Sequence, residues 1–343
     1  MTKNKDHEKT PRRTAVTGGM RVALCLTLAW TAASGHDVLN AQTLDFEPVA
    51  TIPGPADLVE ATDAHAFVAA DKTLTIVDIS DPAAPLTLGS YTFPEKIWGF
   101  TIIDSFVYVA ADFFGLGILD VSDPTAPTLL GSVKMPGQVK NVDVSGTTAV
   151  LADHMSGVDL VDVSNRNNPT SLGSVYLDGY GRDVAVLGSL AYAVDDPSGF
   201  YVLDLSQTDM WEPMSALQSA AGPRFVEAEG TLAVLLGQGA LQVYDISTPT
   251  SPVHRSTYPT PGAARRVELI GRLAYLADGE QGLLVLDLED SENPQVAGAH
   301  TPSEPVRDVA VGNGVVLLAL GPLPTGIGRS QGGGEVLVLR QTR

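Results

Sequence analysis

The chain has 343 residues, 44% of them hydrophobic and 18% charged, a composition that allows a large buried core and excludes a disordered chain. Its formal charge is −19, and residues 42–343 alone carry 15 Lys/Arg against 37 Asp/Glu. A body this acidic repels phosphate backbones and anionic lipid surfaces, so neither nucleic acid nor a membrane surface is expected as a partner.

Residues 1–41 read as a signal peptide. Basic residues up to Arg21 precede the apolar run Val22 to Ala33, which has the length of a signal-peptide core and is too short to span a bilayer. Small-residue cleavage sites lie after Ala33 and after Ala41, and the second is preferred because it stands just before the first strand. Arg12 and Arg13 are all that matches a twin-arginine signal, so general secretion is the expected route. Cys25, the single cysteine, falls inside the apolar run, and Leu24 stands where a lipoprotein cleavage site takes a small residue. The mature protein is therefore expected to lack disulfides and to be exported to the periplasm, the cell surface or the medium. No later stretch reaches the ~20 apolar residues of a transmembrane helix.

Beyond residue 42 the chain repeats itself. Leu74 to Pro85 (LTIVDISDPAAP) returns as Gly117 to Pro127, Val158 to Pro169, Tyr201 to Pro213, Leu241 to Pro252 and Leu283 to Pro294. The anchor aspartates Asp78, Asp120, Asp162, Asp204, Asp245 and Asp287 step by 42, 42, 42, 41 and 42 residues. Each period divides into four strand-like runs separated by Gly, Ser and Pro. In the third unit these are Ser171 to Tyr176, Arg182 to Leu187, Leu190 to Val194 and Phe200 to Leu205. Four short strands per period without helical periodicity predict propeller blades.

A seventh copy, Glu335 to Arg340, has Arg340 in place of the aspartate, and Leu44 to Thr51 supplies the strand that this last blade lacks. The expected fold is therefore all-β: one monomeric seven-bladed β-propeller over residues 42–343, built of four-stranded blades and closed by the N-terminal strand pairing with the C-terminal blade. Closure of this kind removes free sheet edges. Two irregularities interrupt the array: a lengthened turn, Gln207 to Pro213, carrying Trp211, and a Gly/Pro-rich insertion, Gly321 to Gly334. The insertion lacks the Lys-Ser/Thr pair that opens the helix of a phosphate loop, so it reads as a surface loop.

The strings LTIVDISDP, GILDVSDP and VDLVDVS resemble LVIVD repeats, which occur in secreted or surface proteins of prokaryotes. The resemblance covers residues 44 to 340 and implies a β-propeller. It implies no activity, because no catalytic residue defines the family.

Residue patterns carry the rest. Each anchor aspartate stands where a strand ends and a proline-directed turn begins, so its carboxylate is expected to hold free backbone N–H groups. Two residues before the apolar position that opens each innermost strand stand Asp57, Trp98, Lys140, Arg182, Arg224, Arg265 and Arg307. This ring should surround the mouth of the central channel. It is either a collar of ligand-binding residues (Trp98, Lys140, Arg182, Arg224, Arg265, Arg307) or a set of struts, with the arginines paired between blades to Asp112, Asp153, Asp195 and Asp278. Three places on stand Glu60, Asp143, Glu227 and Glu268, but His65, His154, His254 and His300 occupy unrelated positions, so no metal site is expected. No Gly-x-Ser-x-Gly, His-Glu-x-x-His or Cys-x-x-Cys occurs, so no catalytic residue and no cofactor is assigned. The expected function is an exported binding or protein-interaction module for an unknown protein or an anionic glycan or peptide. The alternative is a hydrolase or lyase at the channel mouth, which needs a pocket holding an Asp or Glu of strongly shifted pKa.

Overall fold

The structure, a computed structural model, describes residues 43–342 apart from 198, 207–211, 220–221, 263 and 324–333. The basic and apolar N-terminal segment with Cys25, Trp211 and most of the Gly/Pro-rich insertion lie outside the described residues. Among the described residues no helix is long and apolar enough to cross a membrane.

The strands form seven four-stranded antiparallel sheets. Blades 1 to 6 cover residues 58–92, 99–133, 139–175, 180–218, 225–259 and 266–300, each in simple up-and-down order. Blade 7 takes Val306–Gly312, Val315–Leu320 and Glu335–Gln341 from the end of the chain and Phe46–Pro53 from its beginning. Phe46 pairs with Gln341 and Pro53 with Glu335, so the ring closes as the sequence predicts, with the strand two residues later than its expected bounds. First strands of neighbouring blades contact one another around the axis.

Alternation explains why the middle strands are apolar throughout. Successive side chains of a strand point to opposite faces of its sheet, and in a propeller both faces meet a neighbour. In His65–Ala70, Ala66 and Val68 join the seam with blade 7, whereas Phe67 and Ala69 join the seam with blade 2. In Phe106–Ala111, Val107 and Val109 face back to blade 1 while Tyr108 and Ala110 face on to blade 3. Seven apolar clusters, each drawn from two adjacent blades, fill the seven seams.

The repeated turns hold one end of the ring. Oδ1 of Asp78, Asp120, Asp162, Asp204 and Asp245 accepts the N–H of the serine two residues on at 2.8–2.9 Å, and Asp287 accepts that of Glu289 at 2.9 Å. Hydrogen bonds from Ser80, Ser122 and Ser164 hold the carboxyls of Asp78, Asp120 and Asp162 below the usual range. These aspartates are structural, in line with the sequence reading.

The turns of blades 2, 3 and 6 also pack against the outer strand of the blade before them. Gly89 and Gly131 stand in outer strands where a Cβ would lie 2.5 Å from the Pro124 carbonyl oxygen and 2.4 Å from that of Arg166, both in the following blade's turn. In blade 5 the contact is polar instead, Ser256 Oγ donating to the Ser291 carbonyl at 2.6 Å. The Leu-Gly-Ser string of the repeat is thus a socket for the next blade. Gly131→Val is expected to lower the free energy of unfolding by about 1–3 kcal/mol, the cost of overpacking a rigid backbone contact. Urea denaturation measures it, and an unchanged midpoint would contradict the socket.

Candidate ligand-binding face

The opposite end of the ring carries the collar. Where each innermost strand begins, the backbone aims the predicted residue in one of two ways. In blades 1, 2, 5 and 6 the N–H of Asp57, Trp98, Arg224 and Arg265 donates to the second strand's Ala69, Ala110, Leu236 and Ala277 carbonyls at 2.8–2.9 Å. In blades 3, 4 and 7 the pairing skips Lys140, Arg182 and Arg307, so each is the extra residue of a β-bulge. A bulge re-aims one side chain without ending the ladder.

Their side chains meet different fates. Arg307 is 5% exposed and is a strut: it pairs with Asp57 across the seam between blades 7 and 1 at 2.7 Å and donates to the Ala56 carbonyl at 3.1 Å. Arg182 pairs with Asp196 of its own blade at 2.5 Å. Among the described residues Lys140, Arg224 and Arg265 have no carboxylate within ion-pair distance. Burial and the nearby charges of Arg224 and Arg307 lower the Arg265 pKa, and burial with the charges of Arg182 and Lys96 lowers that of Lys140 against the pull of Asp112. Trp98 gathers cations: the ammonium groups of Lys96 and Lys140 stand 4.4 and 4.0 Å from its ring centroid, and its Nε1 donates to Asp112 at 3.1 Å.

Asp112, Asp153, Asp195 and Asp278 do not bind arginines between blades. Asp153, Asp195 and Asp278 each accept from backbone within their own blade, from Gly137 at 2.8 Å, Gly179 at 2.7 Å and Gly262 at 3.0 Å. They brace the loop that leads into the first strand; among the described residues the inter-blade pair at the collar is Arg307 with Asp57, an aspartate outside the four expected partners. Five buried polar side-chain atoms of the described residues lack a hydrogen-bond partner: Asp112 Oδ1, His154 Nδ1, Arg182 Nε, Arg265 Nε and Asp278 Oδ1. All five belong to this face. Such atoms carry a desolvation cost of about 1–3 kcal/mol each.

The family model of the LVIVD repeat matches residues 53–93, 98–135, 136–176, 178–208, 235–260 and 261–299, well over half of the chain. The chain belongs to the LVIVD repeat family. No curated protein matches this LVIVD-repeat chain. Among solved structures it is similar to a chain of one titled "Crystal Structure of Mitotic Checkpoint Complex", at 12% identity and a TM-score of 0.67 over 92% of this chain and 98% of that one. A likeness of that kind concerns the fold alone.

Below the collar, the channel of this LVIVD-repeat propeller is crossed by a residue that the sequence reading passed over. Arg266 of blade 6 donates to the Trp98 carbonyl of blade 2 at 3.2 Å, between blades three steps apart, the greatest separation a ring of seven allows. Its guanidinium lies 4.4 Å from the centroid of the Phe225 ring. The signal was one column over: Leu58, Gly99, Asn141, Asp183, Phe225, Arg266 and Asp308 share that register, and four of the seven are polar.

Inner-strand carboxylates tie the blades to one another. Asp143 accepts from Val186 N–H at 2.8 Å, Asp183 from Val226 at 2.9 Å, Glu268 from Val311 at 2.7 Å and Asp308 from Val59 at 2.9 Å, in each case the next blade's first strand. The acidic ring at Asp143 and Glu268 is therefore spent on backbone, and among the described residues no group of three His, Cys, Asp or Glu comes together to ligate a metal. Burial pushes Asp183 and Asp308 up to about 6, with Arg266 opposing the rise. Asp159 also reaches about 6 through burial, beside Asp153, but its oxygens are taken by Ser174 and Ser156. These shifted carboxyls are buried, and each accepts hydrogen bonds from its neighbours.

Asp183 and Asp308 bind a proton more tightly folded, at about 6, than unfolded, near 3.8. Their favourable contribution is therefore complete below about pH 4 and is lost as pH rises through 6, on the order of 2–3 kcal/mol each. Urea unfolding from pH 4 to pH 7 should show this fall, and the Asp183→Asn/Asp308→Asn double variant should flatten it. An identical slope in parent and variant would rule the assignment out.

Proposed function

We propose that this LVIVD-repeat propeller is an exported binding module whose collar face takes a ligand bearing carboxylates. Export rests on the basic and apolar N-terminal segment. The binding reading rests above all on the placement of cations. In an acidic chain, seven of the 15 Lys/Arg in residues 42–343 (Lys96, Lys140, Arg182, Arg224, Arg265, Arg266 and Arg307) gather at the collar and the channel beneath it. Three of them are not held by ion pairs: Lys140, Arg224 and Arg265 have no carboxylate within ion-pair distance among the described residues, and Arg265 stands beside the like charges of Arg224 and Arg307. A carboxylate laid across the collar would meet charge-assisted donors and relieve that repulsion.

Beneath the collar Arg266 reaches across the axis to the Trp98 carbonyl, so a ligand on this face lies over the mouth of the channel.

The residue that separates binding from bracing is Arg265. If it serves a ligand at the expense of the fold, Arg265→Gln should stabilise the free protein by about 0.5–1 kcal/mol, the size of a like-charge contact relieved. Thermal unfolding of parent and variant, with and without citrate and oligomeric carboxylates, tests both parts. A carboxylate should raise the parent's midpoint, by about 2.7 kcal/mol of protection at a hundredfold excess over Kd, and should protect Lys140→Ala/Arg265→Gln less. A destabilised Arg265→Gln together with a parent indifferent to every carboxylate would make the collar a set of struts.

A further inference from the structure

We propose that the ligand is an acidic oligosaccharide, a chain of uronate-type sugars, held on the collar sector of blades 2 to 4; the inference rests on the carboxylate-binding reading above. The sector is set apart by its exposed rings. Tyr180 stacks on His154 at 4.5 Å between centroids and 20° between planes, yet it remains 56% exposed, so its other face is open to solvent. Phe113 is 51% exposed, Met155 66% and Tyr176 80%, and all three stand where strands of blades 2 and 3 reach this end of the ring. The other large exposed apolar residues of the described chain, Leu86, Leu172, Val253 and Val296, are scattered along outer strands.

Cations stand in the same sector, beside Trp98 and His154. Lys96 and Lys140 stand over Trp98, and Lys140 and Arg182 are close enough to His154 to lower its pKa, after burial. A surface that alternates flat apolar faces with ammonium and guanidinium groups matches a polymer with the same alternation. A pyranose ring offers an apolar C–H face, and a uronate adds one carboxylate per ring. Tyrosine and tryptophan suit such a ligand because each joins an apolar face to a polar tip.

An acidic peptide fits less well. Strands end at this face and offer no free edge for an added strand, so a peptide would be held by the cations alone and would leave the rings idle. A densely charged polyanion is opposed by the 37 acids of residues 42–343. Blades 5 and 6 carry Arg224 and Arg265 without an exposed large aromatic among the described residues.

The experiment is calorimetric titration of the full chain with oligogalacturonate, its methyl ester and a glutamate hexapeptide. Oligogalacturonate should bind, the ester at least about tenfold more weakly. Tyr180→Ala and Lys140→Ala should each cost about tenfold, Tyr180→Phe should bind within about twofold of the parent because it keeps the ring, and Arg272→Ala, at the opposite end of the ring, should also stay within about twofold. Equal melting of Tyr180→Phe and parent guards against a folding defect. Tight binding of the hexapeptide without the sugar, or sugar binding that survives Tyr180→Ala but fails in Arg224→Ala, overturns this inference and leaves the collar reading intact. Failure of every carboxylate overturns both.

Discussion

Every blade has two apolar faces and no means of covering either by itself. That constraint organises the molecule, because a sheet whose two sides both need a partner is satisfied only when the row of sheets returns to its beginning. Ala66 and Val68 on one side of a strand, Phe67 and Ala69 on the other, express it within four consecutive residues. The same constraint explains why blade 7 is built from both ends of the chain. Its three C-terminal strands would otherwise leave an unpaired edge along Glu335–Gln341, which Phe46–Pro53 covers.

Apolar seams align the blades coarsely, and polar contacts fix their spacing. On the turn side the corners of blades 2 and 3 seat on Gly89 and Gly131 of the preceding outer strands, where a side chain would collide with backbone. Along the axis, buried carboxylates reach from one first strand to the next and accept its N–H. Burial makes those carboxylates costly, as the raised values at Asp183 and Asp308 show, and only well-placed donors keep them. The collar end differs in kind. There the buried polar atoms of Arg182, Arg265 and Asp278 lack partners and like charges stand together, while Arg307 with Asp57 spans a seam.

Legibility in the sequence followed the same division. Contacts made within one repeat, such as the serine N–H held by Asp78, recur at a fixed period and can be read from the strings alone. Closure was equally legible, because Arg340 ends a copy that lacked a fourth strand and Leu44 to Thr51 had no other place to go. Collar positions could be aligned, but their behaviour could not. Arg307 and Arg265 occupy equivalent places, yet Arg307 reaches Asp57 while Arg265 has a blade neighbour, Arg307, of its own sign. Pairing of that kind depends on the residue one blade away, which for Arg307 lies across the ring closure and 250 positions off, and on whether a bulge turns the side chain toward it. Arg266 escaped for a related reason. Its partner is a backbone carbonyl across the axis, and no spacing along the chain encodes a carbonyl.

The shared blade has a consequence in time. Phe46–Pro53 is among the first strands to be synthesised and Glu335–Gln341 among the last, and they pair with each other. Bringing such distant segments together costs roughly 5 kcal/mol of loop entropy in an otherwise unfolded chain, a cost that falls once the blades between them have stacked and carry the ends toward each other. Ring closure is therefore a late event in folding. Until it happens the seam between blades 7 and 1 stands open, and its two apolar faces are exposed in a chain still being made.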